Sequence, residues 1–141
     1  MAVQYSKDDL FYVCSMIEFA ARKTNNKCKD IVAKLSDKEL EHQLKAAGVN
    51  HCLSFEQVCD EWIEEYEISK GTFDNITACR YEVPTVASIG RVYQTLIMDV
   101  MQLYGSVTEA IKKVYNSFIS EEIADYNSSV YYSNPDYLKC S

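Results

Sequence analysis

The chain is short of residues that interrupt regular structure. Its 141 residues include only four Gly and two Pro. That is too few turn-formers for a fold of many short strands, and the scarcity favours long helices. No apolar run approaches the roughly 18 residues that a membrane span needs, so no membrane partner is expected. Basic residues are scarce as well: 14 Lys and Arg face 21 Asp and Glu, for a formal charge of −7. Both halves of the chain share the acid excess. Neither offers a basic face to offset phosphate, which argues against nucleic acid and anionic lipid as partners. Signatures of chemistry are missing too: there is no Gly-rich phosphate loop, no G-x-S-x-G, no H-E-x-x-H and no EF-hand loop. Among six cysteines no C-x-x-C pair occurs. The opening stretch lacks the basic-then-apolar pattern of a secretory leader. The expected location is therefore cytoplasmic, with reduced thiols packed as small hydrophobes.

What is present describes a globular protein. Hydrophobic residues make up 48% and charged residues 25%, the usual balance for a soluble domain. A chain of this length buries about 68% of its unfolded surface, so it needs neither metal nor disulfide to fold.

Helix starts are written in capping boxes, where a Ser and an acid or amide three residues later satisfy backbone N–H groups of the first turn. Ser36–Glu39, Ser54–Gln57 and Ser106–Glu109 fit, and Ser6–Asp9 is a looser version. Leu35 with Leu40, and Leu53 with Val58, add hydrophobic staples. Gly48 and Gly105 stand where left-handed helix stops belong. The apolar periodicity then gives helices from about Lys7 to Lys23, with Leu10, Val13, Cys14, Ile17, Ala20 and Ala21 on its inner stripe, Lys29 to Leu35, Asp37 to Ala47, from just after Ser54 to about Glu67, and from just after Pro84 to Tyr104, with Leu103 on the inner stripe and Tyr104 in the core or at its edge. A last helix starts at Val107, with Phe118 on its inner stripe, and either continues or restarts after Ser120. Residues 69–85 hold Gly71 and Pro84 and read as an irregular connection with room for a short extended piece. Gly90, inside a helical stripe, marks close approach of a neighbouring helix. The expected fold is all-α, an irregular bundle of five to seven helices in one domain, with candidate halves 1–68 and 85–141.

His51 and Cys52, with Cys59 seven positions on and His42 before them, are the candidate metal or thiol residues. A structural zinc site usually pairs its ligands two to four residues apart; these gaps are nine, one and seven. The capping box at Ser54 accounts for the same stretch as a turn with packed thiols. Glu39–His42 matches the Glu-x-x-His spacing of di-iron bundles, but no second such motif exists, and Glu39 is wanted by its own cap. No metal and no cofactor are expected. Residues 41–62 also have the outline of a helix-turn-helix. The helix that would read DNA, however, carries Glu56, Asp60, Glu61, Glu64, Glu65 and Glu67 and no base, which would repel phosphate.

That acidic stripe is the first candidate partner surface, centred on Glu61, Glu64 and Glu65. The second is the tyrosine-rich end, with Tyr131, Tyr132 and Tyr137, since Tyr joins apolar area to a polar tip. Arg22, Lys23, Lys27 and Lys29 form the one basic cluster.

Phe11 to Leu35, "FYVCSMIEFAARKTNNKCKDIVAKL", followed by "KAAGVNHCL", resembles the opening of a family of short helical bacterial proteins. Those proteins are encoded beside ADP-ribosyltransferase-like genes and are supposed to act as antitoxins. The resemblance rests on the apolar helix with its Ile17–Glu18 pair and on the Gly-containing turn. The second half, from "VASIGRVYQTLIMDV" onward, resembles stretches of uncharacterised proteins of gut Firmicutes. The resemblance implies a small bacterial accessory protein and brings no catalytic residue with it. The expected function is thus non-catalytic, a module that binds a protein partner or a second copy of itself. The alternatives are a metal- or thiol-dependent enzyme built on the His and Cys residues, and a helix-turn-helix regulator.

Overall fold

A computed structural model of the chain describes residues 6–77, 79–80 and 82–126. Among these residues there are seven helices and no strand: α1 Lys7–Thr24, α2 Cys28–Ala33, α3 Asp37–Asn50, α4 Phe55–Glu65, α5 Val86–Tyr104, α6 Val107–Tyr115 and α7 Phe118–Ala124. The all-α bundle expected from the sequence is what forms.

The caps act as read. Ser36 accepts from the Glu39 N–H, and the Glu39 carboxylate returns a bond to the Ser36 N–H at 2.9 Å. Ser6 and Asp9 form the same reciprocal pair, so the looser match is a complete box. Ser54 and Ser106 cap in one direction only. Gly105, at φ 73°, closes α5 in the left-handed region. Two helices stop on side-chain-bearing residues in that region. Asn25 (φ 57°) follows α1, and the Asn26 N–H reaches back to the Ala21 carbonyl at 2.9 Å. Glu67 (φ 53°) follows α4, and the Ile68 N–H reaches the Ile63 carbonyl at 3.1 Å. Both are six-to-one closures that need no Gly.

α1 is the central helix. Its expected stripe of Leu10, Val13, Cys14, Ile17, Ala20 and Ala21 is buried, and so are Tyr12, Ser15, Met16, Glu18 and Thr24 around its other sides. It packs on α2, α3, α4 and, most extensively, α5. Gly90 makes the α1–α5 approach possible: a Cβ there would stand 2.2 Å from the Ser15 Oγ and 3.0 Å from the Ser15 Cα. α6 lies on α5 and buries Val107, Ala110, Ile111, Val114 and Tyr115. The Tyr93 and Tyr115 rings stack between them at 4.1 Å.

Residues 69–77 form no regular element but are tied to the end of α1. The Gly71 N–H donates to the Thr24 carbonyl at 2.7 Å and the Phe73 N–H to the Asn25 carbonyl at 2.9 Å. A Cβ at Gly71 would meet the Asn25 carbonyl oxygen at 2.4 Å, so the glycine is what lets the two backbones approach.

Four local expectations are corrected. Gly48 does not stop α3, which runs on to Asn50; the Asn50 carbonyl accepts the Tyr12 hydroxyl at 3.3 Å, a tertiary bond that holds the last turn. Phe118 is exposed, not inward. The chain breaks at Asn116–Ser117, where the Ser117 hydroxyl bonds to the Val114 carbonyl at 2.7 Å, and this resets the phase of the stripe. The restart falls at Phe118 itself rather than after Ser120. Leu103 and Tyr104, expected on the inner stripe or its edge, stand in solvent on the last turn of α5.

Candidate functional site

The stretch around Ser54 is a turn between two helices. α3 ends in the Asn50–Leu53 turn, whose Leu53 N–H donates to the Asn50 carbonyl at 2.9 Å. α4 begins directly after Ser54. The four His and Cys candidates are not brought together. His42 is exposed on α3, and His51 and Cys52 are exposed in the turn. Cys59 is buried in the core, where loss of water raises its thiol pKa above the ordinary value. Neither imidazole hydrogen-bonds to a described sulfur. Among the described residues no three His, Cys, Asp or Glu side chains are placed to hold a metal ion. His51 instead lies over the Tyr12 ring, centroids 4.5 Å apart.

α4 is sharply two-sided. Val58, Cys59 and Trp62 face the core, with Tyr66 edge-on to Trp62 at 6.0 Å. The Gln43 amide donates to the Tyr66 hydroxyl at 2.7 Å and fixes α3 to the end of α4. Glu56, Asp60, Glu61, Glu64, Glu65 and Glu67 are all exposed. Ion pairs among the described residues include those of Glu18, Asp37 and Glu121; none involves an acid of α4. The second candidate surface, Tyr131, Tyr132 and Tyr137, lies outside the described residues.

The basic cluster of the sequence is divided. Lys29 and Lys27 reach Glu121 of α7 at 3.1 and 3.2 Å, and their hydrogen bonds hold its carboxyl below the usual carboxylate range. Arg22 turns inward to a buried network that composition alone did not reveal. Its Nε donates to Glu18 at 2.7 Å and its Nη2 to the Pro84 carbonyl at 2.6 Å. The Tyr126 hydroxyl donates to the same Glu18 carboxylate, and the Cys28 thiol donates to its other oxygen at 3.1 Å. Burial first, and then the Glu18 charge, push the Cys28 thiol well above its ordinary pKa and raise the Tyr126 phenol. This keeps the thiol protonated and unreactive, so the cluster acts as a clasp between α1, α2 and Tyr126, two residues beyond α7. The adjoining cavity, about 20 Å³, has room for a single water. The only sequence signal was one acid on the inner side of an otherwise apolar helix.

The structure adds two apolar clefts. One, about 360 Å³, is lined by Phe11, Tyr12, His51, Leu53 and Phe55, with Ala87 of α5 opposite. Phe55 packs against Tyr12 at 5.6 Å and Phe19 at 5.4 Å. Burial, and then the nearby Glu61 carboxylate, raise the Tyr12 phenol pKa, so the charge of α4 reaches this cleft. The other, about 380 Å³, runs between Leu96, Val100 and Leu103 of α5 and Lys113, Val114 and Ile119.

No protein-family model, no curated protein and no solved structure matches the chain. Among the described residues no helix is long and apolar enough to cross a membrane.

Proposed function

We propose that this chain is a non-catalytic helical module that binds a protein partner through its acidic face. One observation carries the reading: five carboxylates on the outer side of α4 and Glu67 just after it are all exposed, and none is in an ion pair within the described residues. A face of one sign attracts an oppositely charged partner and speeds its encounter. It also repels phosphate, which supports a protein partner over DNA. The buried thiols, whose pKa values are raised, suit packing better than catalysis. The resemblance of the first helix to supposed antitoxins makes neutralisation of a neighbouring gene product the specific form of this role. The tyrosine-rich end, with Tyr131, Tyr132 and Tyr137, supplies a second surface in the same reading.

The test is charge reversal at Glu61, Glu64 and Glu65 to Lys, followed by capture of partners from native lysate. Recovery should fall at least about tenfold, because like charges would then meet across the interface. Undiminished recovery of the same partner would remove this face from the function.

A further inference from the structure

The acidic face of α4 does not stand alone. Its first residue, Phe55, is also a wall of the aromatic cleft, and the Glu61 carboxylate acts on Tyr12 in the same wall, so the acidic face borders the cleft. The cleft is apolar, with three aromatic side chains in contact: Tyr12 touches both His51 and Phe55. At its edge the Arg91 guanidinium sits 4.1 Å over the Phe11 ring, which shows that a ring of this wall already accepts a cation on its face. Arg91 is the cation over Phe11; on the α4 side the Glu61 carboxylate is near enough to act on the Tyr12 phenol.

We infer that this cleft is the anchoring pocket for the partner, and that the partner contributes a basic segment with one aromatic side chain. The aromatic group packs into the cleft against the wall formed by Tyr12, His51 and Phe55, and flanking Lys or Arg residues lie along α4. The assignment rests on the acidic-face reading and sharpens it. Charge complementarity selects a basic segment. The apolar, ring-lined slot selects an anchor that gains from desolvation and from edge or face contact with rings. A surface of acids alone would hold a basic chain loosely and without register; an anchor gives it one position.

Two synthetic peptides of equal charge test this. One places a tryptophan between lysines and the other an alanine. Binding to the full chain is measured by calorimetry at low salt. The tryptophan peptide should bind at least about tenfold more tightly, and Ala87→Phe, which fills the cleft from its exposed α5 side, should abolish that advantage. Leu53→Ser should do the same, with helicity checked by circular dichroism. Equal binding of the two peptides would overturn the pocket and leave the acidic face standing. An advantage that survives Ala87→Phe would place the anchor elsewhere and also overturn it. Failure of both peptides to bind would defeat the acidic-face reading and the pocket with it.

Discussion

Gly90 of α5 rests directly on Ser15 of α1. A methyl group at Gly90 would come within 2.2 Å of the Ser15 Oγ and 3.0 Å of its backbone N and Cα. The Ser15 hydroxyl is buried and has no hydrogen-bond partner, so it contributes little there beyond filling space.

Gly90→Ala should therefore destabilise the fold by about 2 kcal/mol, the cost of overpacking a close helix crossing. Ser15→Ala removes an unsatisfied buried hydroxyl and should be neutral or stabilising by about 1 kcal/mol. The double variant should recover part of the Gly90→Ala loss and not all of it, because the backbone contacts at 3.0 Å remain. Urea unfolding of the four proteins completes the cycle. Simple additivity would show that the two residues do not press on each other.

Glu18 holds the clasp. Glu18→Ala leaves the half-buried Arg22 guanidinium without its carboxylate, and should cost about 3 kcal/mol or more. Tyr126→Phe removes one donor while Arg22 and Cys28 keep their bonds to Glu18; it should cost only about 1 kcal/mol. Equal losses in thermal unfolding would mean that Tyr126 holds the segment after α7 by more than its hydroxyl.

The buried thiols set an alkaline limit. Burial pushes Cys14 from 9.0 up to about 12, and Cys28 is raised in the same direction. A thiol that ionises less readily in the folded state leaves stability intact below pH 9.0. As pH rises from there toward about 12, the unfolded chain loses protons that the fold retains, and stability falls. The urea midpoint should be flat up to about pH 8 and decline above about pH 9, less steeply in Cys14→Ala than in the parent chain. In thiol labelling of the native protein, the exposed Cys52 should react while Cys14 and Cys28 wait for unfolding.

The turn around Ser54 was legible because its chemistry is local. A Ser hydroxyl and an N–H three residues away meet in any chain that starts a helix there. Gly90 was legible as a close approach, though its counterpart, Ser15, was not. Leu103, Tyr104 and Phe118 were misjudged for a common reason: periodicity states which side of a helix is apolar, but not how far a neighbouring helix extends to cover it. The aromatic cleft was invisible because Phe11 and Tyr12, the 51–55 turn and Ala87 come from three distant parts of the chain.

The sequence by itself determined the all-α class, most helix starts, the inner stripe of α1 and the charge of α4, since each depends on residues within one or two turns. Tertiary structure alone decided that α1 is enclosed on several sides and that Glu18 gathers Arg22, Cys28 and Tyr126. It also decided that the acidic helix borders an aromatic slot. The physical reason is that burial and pairing of a polar group depend on what the rest of the chain brings to it, and no local pattern encodes a partner as much as 108 residues away.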